Sequence, residues 1–161
     1  MSHPISTQTD QQDFQDLLRN SSPLHRLILD TIMAGVVVID ADTRIIVDIN
    51  RYAADLIGLP VENIIGHECH KFICSAERGK CPVIDLHEHV DHSERTLLTS
   101  NGETIDILKT VQEMHWKGHR YILGCFLDIR YKKWQEERMA CQLEALCRFN
   151  EQIGSSQKVI S

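Results

Sequence analysis

The first part of the chain changes from a helical to a β-strand pattern of hydrophobic residues. In QQDFQDLLRN, residues 11–20, the apolar side chains recur at helical spacing and predict a short amphipathic helix. Ser22 before Pro23 is typical of an N-cap with proline in the first turn, so a second helix is predicted to end before Gly35. The apolar face of this second helix would be formed by Leu24, Leu27, Ile28 and Ile32.

β-Branched residues dominate the segment that follows. Runs at 36–39 and 45–49 flank an Asp-Ala-Asp turn and predict an antiparallel hairpin. Asn50 can cap a short helix for which Gly58 is the residue just past the C-terminus. A further turn over 60–66 then delivers the chain into a segment rich in cysteine.

Beyond the cysteines, the pattern predicts one more helix and three strands. Pro82 suits the first turn of that helix, because a proline there loses no helical hydrogen bond. The apolar face of this helix would consist of Val83, Leu86 and Val90. Asn101-Gly102 and Lys117-Gly118 are turn signals between β-rich runs, so three long antiparallel strands are predicted over 94–128.

A charged amphipathic helix is predicted from Ile129, with Gly154 as its stop. Its apolar stripe would be formed by Met139, Leu143, Leu146 and Ile153, with Phe149 alongside. Because three of these residues repeat every seven positions, two copies of the helix could bury a seam, and a homodimer is expected. The helix around Phe14, Leu17 and Leu18 would have to join that interface, and folding back onto the same chain is the alternative.

Together these elements predict an α+β fold, with a five-stranded antiparallel sheet and short helices on one face. Amphipathic helices would flank the sheet at both ends of the chain. The predicted division is an N-terminal tail and helix at 1–23, a compact domain at 24–131 and a C-terminal signalling or dimerisation helix at 132–161.

Composition narrows the partners that we expect. The 161 residues carry a formal net charge of −6, which argues against a phosphate-binding surface and therefore against nucleic acid. No apolar run approaches the roughly 18 residues of a membrane-spanning helix. The polar N-terminus lacks the pattern of a signal peptide, so a cytoplasmic location is expected.

The segment HECHKFICSAERGKCP, residues 67–82, is the candidate for chemistry. It holds Cys69, Cys74 and Cys81 in a polar, loop-like context, and cytoplasmic thiols are kept reduced. Soft thiolates suit an iron–sulfur cluster or zinc, although the spacing matches neither a standard zinc finger nor a ferredoxin. Candidates for a fourth ligand are His70, His67 and Cys125. The alternatives are a reversible thiol switch, such as a Cys74–Cys81 disulfide, and an inert loop.

Three segments carry a resemblance to a known family. They are ILDTIMAGVVVIDADTRIIVDINRYAADLIGL (28–59), NGETIDILKTV (101–111) and GCFLDIRYKKW (124–134). Over residues from about 24 to 131 the chain resembles a PAS domain, the sensory module common in bacterial signalling proteins. Asp128-Ile129 stands at the family's closing Asp-Ile-Thr, with Arg130 replacing the threonine.

The resemblance implies a sheet that cups a pocket under the short helices, and flanking helices that pass a signal by repacking. Members of the family carry haem, flavin, metabolites, metal centres or nothing. A similar subset carries a Cys-His, a Cys and a Cys-Pro in the segment that corresponds to 69–82. The chain is accordingly expected to be a redox or gas sensor that acts on a downstream signalling protein or effector domain.

Haem and flavin are the alternative cofactors. His87 and His89 fall on the predicted helix that supplies the axial ligand in haem-binding PAS domains, whereas covalent attachment is excluded because no C-x-x-C-H motif occurs. The segment 66–72 is similar to the motif around the reactive cysteine of flavin photosensors, but Glu68 replaces its asparagine. No phosphate loop or catalytic motif is present, so the chain is not expected to be an enzyme.

Overall fold

The computed structural model describes residues 7–20, 22–73, 80–87, 90 and 92–158. Its helices are α1 (Thr7–Arg19), α2 (Pro23–Thr31), α3 (Arg51–Ile57) and α4 (Arg130–Lys158). Its strands are β1 (Gly35–Asp40), β2 (Ile46–Ile49), β3 (Ser93–Leu98), β4 (Thr104–Trp116) and β5 (His119–Asp128). Two 3₁₀ turns, Val61–Asn63 and Cys69–Lys71, follow α3. The chain forms two compact units, residues 1–128 and residues 129–161.

The five strands form a single sheet in the order β2-β1-β5-β4-β3, and all neighbours are antiparallel. This confirms the predicted α+β architecture. The turns lie at Asn101-Gly102 and Lys117-Gly118, where the sequence indicates them. Gly102 (φ 85°), Lys117 (φ 48°) and Gly118 (φ 80°) take the left-handed backbone conformations that such tight turns require. No helix in the described part of the chain is both long and apolar enough to span a lipid bilayer.

One face of the sheet packs against α3 and the two 3₁₀ turns. Gly58 ends α3 with φ 86°, as the sequence predicts, and α3 buries Ala53, Ala54 and Ile57. The buried cluster on this face also includes Val37, Ile46, Ile64, Cys69, Ile73, Leu97, Ile107 and Phe126. Cys69, the first cysteine of the segment 67–82, therefore lies in the main core.

The opposite face of the sheet is covered by α1. Phe14 is only 4% exposed and stacks on Tyr121 with the ring centroids 4.1 Å apart. Val38 and Val47 complete this second, smaller cluster. Phe14 is thus buried on its own sheet, whereas Leu17 of the same helix is 52% exposed and remains open to the predicted interface between chains.

Asn50 connects the helical and β parts of this unit. Its Oδ1 accepts hydrogen bonds from the backbone N–H groups of Val36 at 2.9 Å and Ala53 at 3.1 Å. Its Nδ2 donates to the carbonyl oxygens of Leu29 at 2.7 Å and Ala34 at 2.9 Å. The side chain is buried and satisfied on both sides, so it joins α2, the start of β1 and the N-terminus of α3.

The helix predicted after Pro82 does not form in the described residues. The N–H groups of Asp85 and Leu86 both donate to the Cys81 carbonyl, at 2.9 and 3.1 Å, which makes one turn. His87 then takes a left-handed backbone conformation with φ 52°, and a right-handed helix cannot continue through it. Leu86 is exposed, whereas Val90 joins the main core.

α2 forms as predicted, whereas the predicted stop of α4 needs correction. α2 forms with Ser22 and Pro23 at its start as predicted, but none of its residues is buried. Its apolar face is therefore exposed. Polar contacts hold the helix, namely the hydrogen bond from Asn50 to the Leu29 carbonyl and the ion pair between Arg26 and Asp48. α4 continues past Gly154 to Lys158, since an interior glycine weakens a helix without having to end it.

We predict that Gly35→Ala destabilises the protein by about 1–3 kcal/mol, because a Cβ atom there overpacks the core. That atom would clash with the buried ring of Phe126. Chemical denaturation of Gly35→Ala, Phe126→Leu and the double variant should show that Phe126→Leu recovers about 1 kcal/mol of the loss. Strictly additive free energies of unfolding would contradict this packing explanation.

Candidate functional site

The start of the cysteine segment, residues 67–69, lies beside the start of β2 and the turn before it. The Ile46 N–H donates to the His67 carbonyl at 2.9 Å, and Ile45 forms an isolated β-bridge with Glu68. The Cys69 N–H then donates to the carbonyl oxygen of Arg44 at 2.9 Å. Cys69 is 8% exposed and belongs to the main core cluster. Backbone hydrogen bonds to the β1–β2 turn therefore fix the position of this cysteine.

The far end of the segment is fixed by the same arginine. Both terminal nitrogens of Arg44 bind the carboxylate of Asp85, with Nη1 2.9 Å from Oδ2 and Nη2 on Oδ1. Asp85 Oδ2 also accepts a hydrogen bond from the Cys81 N–H at 2.7 Å. The Arg44 guanidinium and the Cys81 amide lower the pKa of the Asp85 carboxyl, so Asp85 is ionised at neutral pH.

The sequence did not identify Arg44 or Asp85 as site residues. Arg44 lies in a hairpin turn and Asp85 lies in a turn that the sequence predicted as helix. Their pairing joins positions 41 residues apart. A long-range ion pair of this kind leaves no local signal in one sequence, whereas clustered cysteines do.

The other candidate ligands lie close to Cys69 along the chain. His70 Nε2 is 3.1 Å from a carboxylate oxygen of Glu68, and its side chain is 30% exposed. His67 is exposed, and its ring contacts that of Phe72. Cys81 is partly buried, while Cys74 lies outside the described residues.

Cys125 lies on the wrong face of the sheet to complete this group. Side chains alternate along β5, and Ile122 and Phe126 point into the cluster that contains Cys69. Tyr121 belongs to the cluster under α1, and Cys125 is on that side. Burial raises the pKa of the Cys125 thiol, which agrees with a packing role. We therefore leave Cys125 out of the ligand set.

For His87 the structure lacks the helix on which the haem hypothesis relied. His87 is exposed in a left-handed position of a turn, rather than on a helix, and His89 lies outside the described residues. Buried side chains such as Ile57, Ile73 and Ile107 occupy the space between the sheet and the short helices. A cleft of about 510 Å³ lies at the β2 edge. Its polar lining includes Arg26, Asp30, Asp48, Arg51, Asp55 and Glu62.

A second polar cluster supports the turn that carries Arg44. Asp40 is 1% exposed, and its Oδ1 accepts hydrogen bonds from the N–H groups of Asp42 and Thr43, both at 2.9 Å. Its Oδ2 is 2.9 Å from Nε2 of His119. Burial alone would raise the pKa of Asp40, but the hydrogen bonds from Thr43 and His119 lower it overall.

The donor atoms of Asp40, Asp42 and His119 lie within 4.8 Å of one another, as metal ligands would. The Asp40 carboxylate is already hydrogen-bonded through both oxygens, and the Arg44 N–H donates to the Asp40 carbonyl at 2.8 Å. We therefore assign this cluster a structural role. It shapes the turn from which Arg44 reaches the cysteine segment.

Comparison with known proteins identifies the family. The sequence profile described as "PAS domain" matches residues 33–130. Curated proteins give no significant match.

Solved structures of PAS domains share the fold. One is the PAS domain of an HTR-like protein from Haloarcula marismortui, with a TM-score of 0.55 and 15% identity, covering 73% of this chain and 99% of that one. Another is the PAS domain of nitrogen regulation protein NR(II) from Vibrio parahaemolyticus, with a TM-score of 0.55, 16% identity and coverage of 67% and 100%. A domain of a sensory box sensor histidine kinase/response regulator from Geobacter sulfurreducens has a TM-score of 0.54 and 20% identity, covering 69% of this chain and 96% of that one.

We predict that Asp40→Asn lowers the free energy of unfolding by about 1–3 kcal/mol at pH 7, because the buried hydrogen bonds weaken. A carboxyl with a lowered pKa stabilises the fold above its ordinary value of 3.8, and this contribution is lost as the pH falls through the lowered value. The difference between wild type and variant, measured by urea denaturation, should therefore be constant above about pH 5 and shrink towards pH 3. A difference that grows on acidification would contradict this assignment.

Proposed function

The chain belongs to the PAS domain family of sensory and signal-transduction modules, and we propose that it senses redox state or a reactive gas through a cysteine-ligated metal centre. The observation that carries this proposal is the convergence of Cys69 and Cys81 on Arg44. Hydrogen bonds of 2.9 and 2.7 Å link the two cysteine backbones to Arg44 and to its partner Asp85. A loop that merely contained cysteines would not need both ends fixed at one point.

The chemistry of the available donors fits an iron–sulfur cluster or zinc. Cys69 and Cys81 would supply thiolates, Cys74 a third, and His70 a nitrogen that Glu68 already orients. Thiolates bind both centres strongly, and such a centre, when bound, supplies redox or gas-reactive chemistry. The half-buried setting of Cys81 and the buried setting of Cys69 would limit access of water.

A movement of the cysteine segment could be passed to the sheet through side-chain packing. Cys69 begins the 3₁₀ turn and Ile73 follows it, and both share one buried cluster with Ile107 and Phe126 of the central strands. Because cores are packed closely, a shift of the cysteine segment must be taken up by these neighbours. β5 carries Phe126 and leads along the chain into α4, which would carry the output.

The receiver of the signal would be a downstream signalling protein or an effector domain, in the cytoplasm. The titles of two similar structures name a sensor histidine kinase/response regulator and a nitrogen regulation protein. These matches support the fold, and the partnership with such a receiver is our proposal. We also propose that the domain has no catalytic activity of its own, because its polar clusters are engaged in structural hydrogen bonds.

We predict that anaerobically purified protein contains iron with sulfide, or zinc, at about one centre per chain. Cys69→Ser and Cys81→Ser should each lose most of this metal in elemental analysis, because each removes a thiolate donor. Cys141→Ser is the matched control, since Cys141 is exposed on α4, and it should retain the metal. Metal-free wild-type protein, never exposed to air or chelator, would overturn the proposal and favour a thiol switch.

We also predict a homodimer held by α4. Met139, Leu143 and Leu146, the stripe residues whose side chains are described, are 64%, 60% and 60% exposed. Leu146→Glu should give a folded monomer in sedimentation velocity, because it places a charge in the seam. Cys141→Glu adds the same charge on the opposite side of α4 and should remain dimeric. A dimeric Leu146→Glu variant would show that α4 does not form the interface.

A further inference from the structure

Arg44 is held in a backbone conformation that an arginine rarely adopts. Its φ is 63°, in the left-handed region where glycine and asparagine are favoured. A glycine would fit this turn without strain but would provide no side chain. Strain at a residue with an unusual set of contacts is a reason to look for a function.

The contacts of Arg44 suggest that function. Its carbonyl oxygen accepts the Cys69 N–H, and its guanidinium holds Asp85, which accepts the Cys81 N–H. We propose that Arg44 and Asp85 form a positioning pair, which we call the clasp, that sets where Cys69 and Cys81 lie relative to each other. This inference deepens the proposed metal site and rests on it.

The geometry of the clasp suits a positioning role. Arginine binds a carboxylate through two parallel hydrogen bonds, which fixes direction as well as distance. The side chains of Arg44 and Asp85 are 27% and 18% exposed, so solvent screens the pair less than a surface ion pair. Arg44 and Asp85 neutralise each other, so the clasp adds no net charge beside the thiolates. We assign the clasp a geometric contribution, although Arg44 is also close enough to Cys69 and Cys81 for a charge interaction.

The clasp also links three separate parts of the chain. The β1–β2 turn supplies Arg44, the 3₁₀ turn Cys69–Lys71 supplies one cysteine, and the turn after Cys81 supplies Asp85. Asp40 shapes the first of these turns through its own buried hydrogen bonds. Groups that orient metal ligands in this way affect metal affinity although they do not touch the metal.

The test compares Arg44→Gln with Arg26→Gln in the full chain. Arg26 forms an ion pair with Asp48 at 3.3 Å, away from the cysteine segment, so it is a matched control for the loss of one arginine. Two measurements are made, amide hydrogen exchange of Cys81 in the metal-free protein and the affinity for Co²⁺ alone. Co²⁺ also reports thiolate ligation through its charge-transfer absorption.

We expect Arg44→Gln to speed exchange of the Cys81 amide about tenfold, because Asp85 is no longer held in place to accept it. Co²⁺ affinity should fall by about 10- to 100-fold, as for other groups that orient metal ligands. Arg26→Gln should change neither quantity. Arg44→Lys retains the charge without the two parallel bonds, so it should give intermediate affinity.

The outcomes separate the clasp from the proposed function. If wild-type protein binds no Co²⁺ through thiolates, the proposed metal site fails, while the exchange measurement still tests the clasp. Unchanged exchange of Cys81 in Arg44→Gln would overturn the clasp itself. Faster exchange with unchanged Co²⁺ affinity would show that the clasp does not position the ligands. Equal losses of affinity in Arg44→Gln and Arg26→Gln would reduce Arg44 to a general contributor to stability.

Discussion

Asn50 makes the buried contact on which the β1–β2 hairpin depends. Its amide uses both its oxygen and its nitrogen to hold four backbone groups from α2, the chain before β1, β1 itself and α3. Losing it would leave those groups unsatisfied in a part-buried setting, which costs more than the hydrogen bonds themselves contribute. Asn50 therefore fixes one end of the hairpin, and Arg44 acts at the other.

The candidate site follows from that arrangement. The hairpin turn is shaped by the buried carboxylate of Asp40 and presents Arg44 towards the two ends of the cysteine segment. The side chain of Cys69 is buried in the core that packs against the sheet. Arg44 and Asp85 therefore hold the backbones of Cys69 and Cys81, and a movement of Cys69 would displace its apolar neighbours in the core.

Local chemistry explains which features could be predicted from the sequence. The cap at Asn50, the stop at Gly58 and the turn at Asn101-Gly102 depend on neighbouring residues, and the structure has all three. The prediction of a helix after Pro82 was wrong because hydrogen bonds from the distant Arg44 and from the nearby Cys81 N–H hold Asp85 in a turn. The apolar face of α2 is exposed, and amphipathic spacing alone does not say what a helix packs against. Arg44 was missed because its partner is remote in sequence.

X-ray absorption at the metal edge of the intact, anaerobically purified protein tests the central claim most directly. A centre held by the cysteine segment predicts a first shell dominated by sulfur at about 2.3 Å, the length of a metal–thiolate bond. A first shell of nitrogen and oxygen alone would contradict that account. It would place any bound metal away from Cys69 and Cys81.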